Sequence, residues 1–124
     1  MNLEEKQGGN HTILRLEGFL KVGETARAFT EKCERIAAER PGALVLDLSD
    51  LEYMDSTGVG VLVGALRRFQ TEGRPIYLVA PQRRILAGLQ VTHLDTLFRI
   101  HENLDLALAS LAMAGHSEEE TGGR

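Results

Sequence analysis

The sequence has no tryptophan, one cysteine and only three lysines among its 124 residues. A single cysteine cannot form an internal disulfide, and the helical apolar pattern around Cys33 favours a small buried hydrophobe. No apolar stretch approaches the roughly 20 residues that a membrane-spanning helix needs. The start MNLEEKQGGNH is polar and acidic, unlike a secretory signal. We therefore expect a cytoplasmic protein without membrane insertion.

No excess of positive charge is present either, since 14 basic and 18 acidic residues give a formal net charge of -4. The doublets Arg67-Arg68 and Arg83-Arg84 are typical of solvated helix faces, so direct binding of nucleic acid is not expected. The histidines at positions 11, 93, 101 and 116 have no paired ligand spacing. We therefore expect no metal site and no cofactor.

The length of 124 residues and the hydrophobic content of 43% suit one globular domain with a buried core. The sequence predicts a flexible N-terminal segment over 1–11, a folded domain over 12–113 and a disordered acidic tail over 114–124. The tail sequence GHSEEETGGR has no large apolar group that could offset the entropy of ordering it.

Strand and helix patterns alternate along the folded part. Alternation at a period of two predicts short strands over 13–17 and 19–22, and apolar stripes predict helices over 24–40 and 57–72. The buried run 43–48 predicts a central strand, followed by the loop SDLEYMD. Further strands are predicted over 76–80 and 97–101, with a short helix after Pro81 and a closing helix capped by Asn103. This order favours an α/β fold with a mostly parallel sheet, whose functional groups gather where strands end and helices begin.

One such junction carries the motif MDSTGVG over 54–60, and a serine at that place has several interpretations. A nucleophile elbow needs G-x-S-x-G, but Met54 stands where its first glycine belongs. With His93 or His101 and Asp95 as imagined partners, a small hydrolase remains a lesser alternative.

Phosphate cradles match the motif poorly. The glycine-rich dinucleotide pattern fails because Gly64 comes one place late, and a P-loop would need a lysine after the glycines. Gly60 and Gly64 instead allow close approach of that helix to the sheet or to another protein. A phosphorylated aspartate at Asp47 would resemble a receiver site, which also uses a late lysine, but all three lysines precede the motif. We expect Asp47 to bond loop amides near Ser49.

Two compatible interpretations of the hydroxyl remain. Asp55, Ser56 or Thr57 can cap the amides at the start of the following helix. A phosphoryl group at the same place would meet free N–H groups and the positive end of the helix dipole. Local pattern alone does not separate a plain cap from a phosphoacceptor.

The long stretch LVLDLSDLEYMDSTGVGVLVGALRRFQTEG, followed by PIYLVAPQRRILAGLQVTHLDTLFRIHENLDLAL, resembles the STAS family, in particular the small stand-alone anti-sigma-factor antagonists of bacteria. The likeness runs from about residue 12 to residue 111. The V-L-D-L-S strand and the D-S-x-G-L-G-like turn match almost position for position, with Val59 for the usual leucine. The resemblance implies a mixed, mostly parallel sheet of four to five strands with about four helices mainly on one face.

The resemblance also implies a function without enzymatic activity of its own. An unphosphorylated antagonist binds an anti-sigma factor that is also a serine kinase, so that the sigma factor is released for transcription. The kinase phosphorylates the motif serine, here Ser56, and a PP2C-type phosphatase resets it. Thr57 is a weaker second acceptor, and Gly58 is the residue expected to let the partner's backbone approach. The partner-binding residues expected on this basis are Lys21, Asp55, Ser56, Thr57, Gly58 and Val61.

Two departures from the family pattern stand out. The usual acidic G-E-L-D strand is replaced by GFLK over 18–21, which places Lys21 where it could pair with a phosphate on Ser56. His93 stands where many members have glycine. The altered strand motivates an alternative function, a STAS scaffold or accessory subunit such as a stressosome component or the cytoplasmic partner of a lipid-transport ATPase. A weak homodimer is also left open.

Overall fold

The structure is a computed structural model that describes the backbone of residues 1–122 and the side chains of residues 1–114. The predicted alternation of strands and helices is confirmed. The elements are β1 (Asn2–Gln7), β2 (His11–Leu20), α1 (Glu24–Glu39), β3 (Ala43–Met54), α2 (Ser56–Gln70), β4 (Ile76–Val79), α3 (Arg83–Val91), β5 (Arg99–His101) and α4 (Leu104–Gly122).

The five strands form one sheet in the order β1-β2-β3-β4-β5. Strand β1 runs antiparallel to β2 and the other neighbours are parallel, which confirms the mixed, mostly parallel sheet. Alternate side chains of β3 point to opposite faces. Leu44 and Leu46 join the main core with α1, α2 and α3, whereas Ala43 and Val45 join a smaller core beneath α4. Three helices therefore cover one face and one covers the other.

The N-terminal segment is a strand, contrary to the prediction that it is flexible. Residues 2–7 form a strand paired with β2, where the sequence predicted a flexible segment over 1–11. Its one apolar residue within the strand, Leu3, pairs with Leu16 and packs against the main core. A single apolar side chain gives no periodic signal, and the hydrogen-bonding partner lies in another strand, so local pattern could not reveal this strand.

Strands β2 and β3 are both longer than predicted. The two predicted strands 13–17 and 19–22 are one strand, in which Gly18 has φ 107° and the register with β3 shifts. Strand β3 continues through the predicted loop to Met54, with Leu51 fully buried. The ladder with β2 holds this polar stretch in place. The Asp47 carboxylate accepts hydrogen bonds from the Ser49 N–H (3.0 Å) and hydroxyl (2.7 Å), as predicted.

Several local predictions are confirmed. The Asn103 side chain caps α4 by accepting a hydrogen bond from the Leu106 N–H at 2.9 Å. Cys33 is buried, and desolvation, with a smaller effect of the Glu34 charge, raises the pKa of its thiol to about 12. His93 has φ 59°, a left-handed conformation that explains why glycine suits this position.

Helix α4 extends to Gly122 and so overlaps the segment 114–124 for which disorder is predicted. The backbone over 114–122 gives that prediction no support. Residues 123–124, and the side chains from residue 115 onward, lie outside the described part of the chain.

Candidate functional site

Ser56 lies at the edge of the sheet where β2 and β3 end and α2 begins. The last paired residues of the two strands are Leu20 and Met54, and only Asp55 separates Met54 from the helix. Ser56 is the first residue of α2, and both Ser56 and Thr57 are exposed. The predicted strand-to-helix junction is therefore present, and its hydroxyl groups face solvent.

Asp55 is the residue that caps α2. Its Oδ1 accepts a hydrogen bond from the Gly58 N–H at 2.8 Å, and its Oδ2 accepts one from the Val22 N–H at 2.9 Å. These backbone hydrogen bonds, first from Val22 and then from Gly58, lower the pKa of the Asp55 carboxyl. Of the three candidate caps, Asp55 fills the role, and the Ser56 hydroxyl is not needed for it.

Gly58 is required by this chain's own packing. The residue is buried, and a Cβ added to it would lie 2.1 Å from the carbonyl oxygen of Leu20 and 2.8 Å from Cγ of Met54. Only glycine allows the first turn of α2 to lie this close to the end of β2. The glycine is therefore needed within the chain itself, and its role in the approach of a partner's backbone stays a prediction.

Thr57 and Val61 lie on the side of α2 that faces α1. Together with Ala26, Arg27 and Thr30 of α1 they line a shallow groove of about 430 Å³. Thr57 and Val61 thus line the same groove, which does not include Ser56, and their role in partner binding stays a prediction.

Lys21 lies in the loop between β2 and α1, next to Val22, whose N–H is bound by Asp55. Thr25 holds this loop, because its hydroxyl accepts from the Lys21 N–H (3.0 Å) and donates to the Lys21 carbonyl (2.9 Å). The ammonium lies 5.9 Å from the centroid of the Phe19 ring. The loop backbone is therefore joined to the Ser56 junction, while the charge lies over an aromatic ring.

The sequence interpretation missed an aromatic pair beside this site. Phe19 and Tyr53 are paired residues on β2 and β3, and their ring centroids are 5.8 Å apart. Phe19 stands in the stretch GFLK, where the resemblance implies an acid, which was the available signal. Tyr53 gave no comparable signal, because it stands in a stretch interpreted as a loop.

The structure removes His101 as a partner of Ser56 in the hydrolase alternative. His101 lies on β5, beside the Tyr77 ring at 5.6 Å. Strand β4 separates β5 from β3, so roughly 10 Å of sheet stands between His101 and β3. Among the described residues, no group of three or more His, Cys, Asp or Glu side chains is placed to hold a metal ion.

Comparison with known proteins decides the family. The profile of the STAS domain matches residues 2–107 of this chain. The chain belongs to the STAS family. The anti-sigma-B factor antagonist of Bacillus subtilis (strain 168) is 30% identical over 100 residues, which cover 81% of this chain and 90% of that protein. A Thermotoga neapolitana relative is 35% identical over 65 residues, and the chain covers only 58% of that protein's length.

Solved structures give the same fold. The crystal structure of an anti-sigma factor antagonist from Mycobacterium paratuberculosis has a TM-score of 0.78 at 24% identity, covering 90% of this chain and 93% of that one. The phosphorylated form of the Bacillus cell fate determinant SpoIIAA has a TM-score of 0.70 at 17% identity, covering 88% and 98%. Over residues 1–122, no helix of the STAS domain is long and apolar enough to cross a membrane.

Proposed function

We propose that this STAS domain is an anti-sigma-factor antagonist that regulates transcription indirectly by partner switching. It binds an anti-sigma factor with serine kinase activity while Ser56 is unmodified, and it releases that partner when Ser56 is phosphorylated. The observation that carries the proposal is that the capping residue of α2 and its exposed hydroxyl residue are different residues. Asp55 provides the cap, so the exposed Ser56 hydroxyl beside it is free to accept a phosphoryl group from a kinase.

The modification itself is a phosphoryl transfer catalysed by the partner. The Ser56 oxygen forms a bond to the terminal phosphorus of ATP, the bond from that phosphorus to ADP breaks, and the hydroxyl proton passes to a base of the kinase. The product phosphate lies at a helix N-terminus, where the helix dipole favours negative charge. We therefore expect phosphorylation to leave the fold intact.

Release of the partner follows from charge and bulk. The lowered pKa of Asp55 keeps its carboxylate ionised, so a phosphate adds about two negative charges beside an existing one. A partner surface that fits the unmodified junction then meets a larger, hydrated and more negative group. A PP2C-type phosphatase that hydrolyses the phosphate restores binding.

The names of the relatives support the role. The Bacillus subtilis relative is called an anti-sigma-B factor antagonist, and SpoIIAA is described in both an unphosphorylated and a phosphorylated form. These names describe those proteins, and their transfer to this chain is part of the proposal.

Intact-mass analysis after incubation with the organism's kinase-type anti-sigma factor and ATP tests the modification. We expect one added phosphate on the wild-type chain and on Thr57→Ala, and none on Ser56→Ala. Absence of phosphate on the wild-type chain, or labelling that survives Ser56→Ala, contradicts the proposal.

Purification of the chain with its bound partners tests the role as a whole. Recovery of a membrane transporter together with absence of any kinase-type anti-sigma factor would replace the antagonist role by that of an accessory subunit. Recovery of the kinase, with binding lost in Ser56→Asp, supports the switch.

A further inference from the structure

Three large apolar side chains are exposed where β2 and β3 end, two on the paired strands and one in the loop after β2. Phe19 is 46% exposed, Tyr53 is 44% exposed and Val22 is 67% exposed. We call these three residues the aromatic surface. The two rings are in contact, tilted by 60° to each other. Single exposed apolar residues need no explanation, but a cluster on paired strands is typical of an interaction site.

The aromatic surface lies at the same end of the sheet as Ser56, but its two rings are on the opposite face from α2, because the next pair along the ladder, Leu20 and Met54, faces the main core. The pair Phe19 and Tyr53 is followed along the ladder by Leu20 and Met54, after which β3 reaches Asp55. Val22 is joined to the same junction, because its N–H donates to the Asp55 carboxylate. A partner that contacts Ser56 and extends around this end of the sheet meets these side chains, which are held in position by the strand pairing and by the bond from Val22 to Asp55.

A kinase that holds this protein must cover more than the acceptor serine. Stable interfaces bury about 800 Å² on each partner, contributed by roughly 20–30 residues. Between Ser56 and Arg67 the outer face of α2 carries Gly60 and Gly64, which are exposed and have no side chain to offer. They do not bring the helix close to the sheet, contrary to one expectation from the sequence, because nothing lies within 4 Å of an added Cβ. Aromatic residues are among the commonest energetic anchors of interfaces, and the aromatic surface lies at the same end of the sheet as Ser56.

Lys21 adds a charge preference to the same surface. Its ammonium lies over the Phe19 ring, and in the part of the chain that the structure describes it takes no part in an ion pair. An acidic side chain on the partner could pair with it at the border of an apolar pocket. The surface thus fits a partner with an apolar recess flanked by a carboxylate.

We propose that the aromatic surface is the apolar anchor for the kinase-type anti-sigma factor, and that Lys21 selects a partner with an acidic group beside the recess. This inference rests on the proposed function, since it names the partner of the same site. The anchor acts on affinity and leaves the phosphoryl transfer itself unchanged.

The test compares Phe19→Ala and Tyr53→Ala with Val91→Ala, which truncates an even more exposed apolar residue at the end of α3 (79% exposed). Calorimetry with the kinase that phosphorylates Ser56 should show at least about a tenfold rise in Kd for the two aromatic variants. Val91→Ala should bind as the wild type does. In steady-state kinetics, KM for the protein substrate should rise while kcat stays unchanged.

Lys21→Ala tests the charge preference. We expect weaker binding at low salt and a difference from the wild type that shrinks at about 0.5 M salt, because exposed charges are screened there. The losses in the aromatic variants should persist at the same salt concentration. Val22→Ser, in the exposed loop, provides a further anchor variant if an aromatic variant fails to fold by circular dichroism.

Two failures can be distinguished. If the wild-type chain neither binds nor accepts phosphate from any kinase-type anti-sigma factor of the organism, the proposed function fails and the anchor fails with it. If the kinase binds and phosphorylates Ser56, yet the folded aromatic and Val22 variants bind with wild-type Kd, the anchor is refuted while the switch stands.

Discussion

Asp55 and Arg74 hold the two opposite ends of the sheet, and they do so with opposite charges. Asp55 gathers the N–H groups of Val22 and Gly58 at the carboxyl ends of β2 and β3. Arg74, just before β4, gathers carbonyl groups where α1 ends. Its Nε donates to Gly42 at 2.8 Å and its Nη1 to Ala37 at 2.8 Å.

The two ends of the sheet differ in whether a polar side chain stays exposed beside the stabilising residue. The Arg74 guanidinium also donates to the Arg40 carbonyl and pairs with Glu72, while its plane lies 4.5 Å from the centroid of the Phe69 ring. Its donors and its flat face are thus occupied within the chain. At the Asp55 end, one carboxylate satisfies the helix start and the neighbouring serine stays exposed. Both ends stabilise the fold, and the Asp55 end also leaves an exposed hydroxyl next to the capping residue, as the proposed switch requires.

The strongest test of the Asp55 end is Gly58→Ala. The new Cβ would meet the Leu20 backbone at 2.1 Å, so the end of β2 or the first turn of α2 must move. We expect the free energy of unfolding to fall by about 3 kcal/mol. Urea denaturation measures the change.

Gly60→Ala is the matched control for that variant, because no atom lies within 4 Å of its added Cβ. Alanine is the better helix former, so we expect a gain of about 0.5–1 kcal/mol. Equal losses in the two variants would show that helix conformation, and not the approach to Leu20, sets the need for glycine.

At the other end, Arg74→Ala should lower the free energy of unfolding by about 2 kcal/mol, because it leaves partly buried carbonyl groups without a donor. Arg74→Lys keeps the charge but loses the planar set of donors, so its loss should lie between zero and that of the alanine variant. Ser56 phosphorylation kinetics should be unchanged in both. A change in those kinetics would show that the two ends are coupled.

The charge of Asp55 gives a pH-dependent test. The pKa of the Asp55 carboxyl is lowered in the folded state from its ordinary value of 3.8. The ionised carboxylate therefore stabilises the fold fully at pH values above 3.8, and this contribution is lost as the pH falls through the lowered pKa. We expect the wild type to exceed Asp55→Asn in stability at neutral pH, with a difference that shrinks in acid. Urea midpoints measured from neutral pH to pH 3 check the sign. A difference that grows in acid contradicts this account of the cap.

Ser56→Asp should have the smallest effect on stability. A negative charge at the first position of α2 interacts favourably with the helix dipole, so we expect a change within about 0.5 kcal/mol. Calorimetric unfolding measures it alongside partner binding, which should weaken far more. A large loss of stability would mean that the fold, and not the docking surface, responds to charge at Ser56.

Much of the site could be predicted because its signals are local. The order of strands and helices follows from hydrophobic periodicity, and the hydroxyl at the start of α2 follows from the motif itself. The bonds of Asp47 to Ser49 and of Asn103 to Leu106 were also predictable, since they join residues two or three apart.

The missed features join distant residues. The contact of Phe19 with Tyr53 and the bond of Asp55 to Val22 depend on the parallel pairing of β2 with β3, across more than 30 residues of chain. Strand β1 escaped prediction for the same reason, because its backbone groups are satisfied by β2 and its own apolar pattern is weak.

The sequence by itself determined the α/β class, the junction that carries Ser56 and the burial of Cys33, because periodicity and short motifs act within one element. Only the tertiary structure decided which of three adjacent polar residues caps α2, why Gly58 must be glycine, and that an aromatic pair lies at the same end of the sheet as the serine. Those outcomes depend on how closely β2 approaches β3 and α2, and hydrogen bonds and excluded volume between separate elements set that distance.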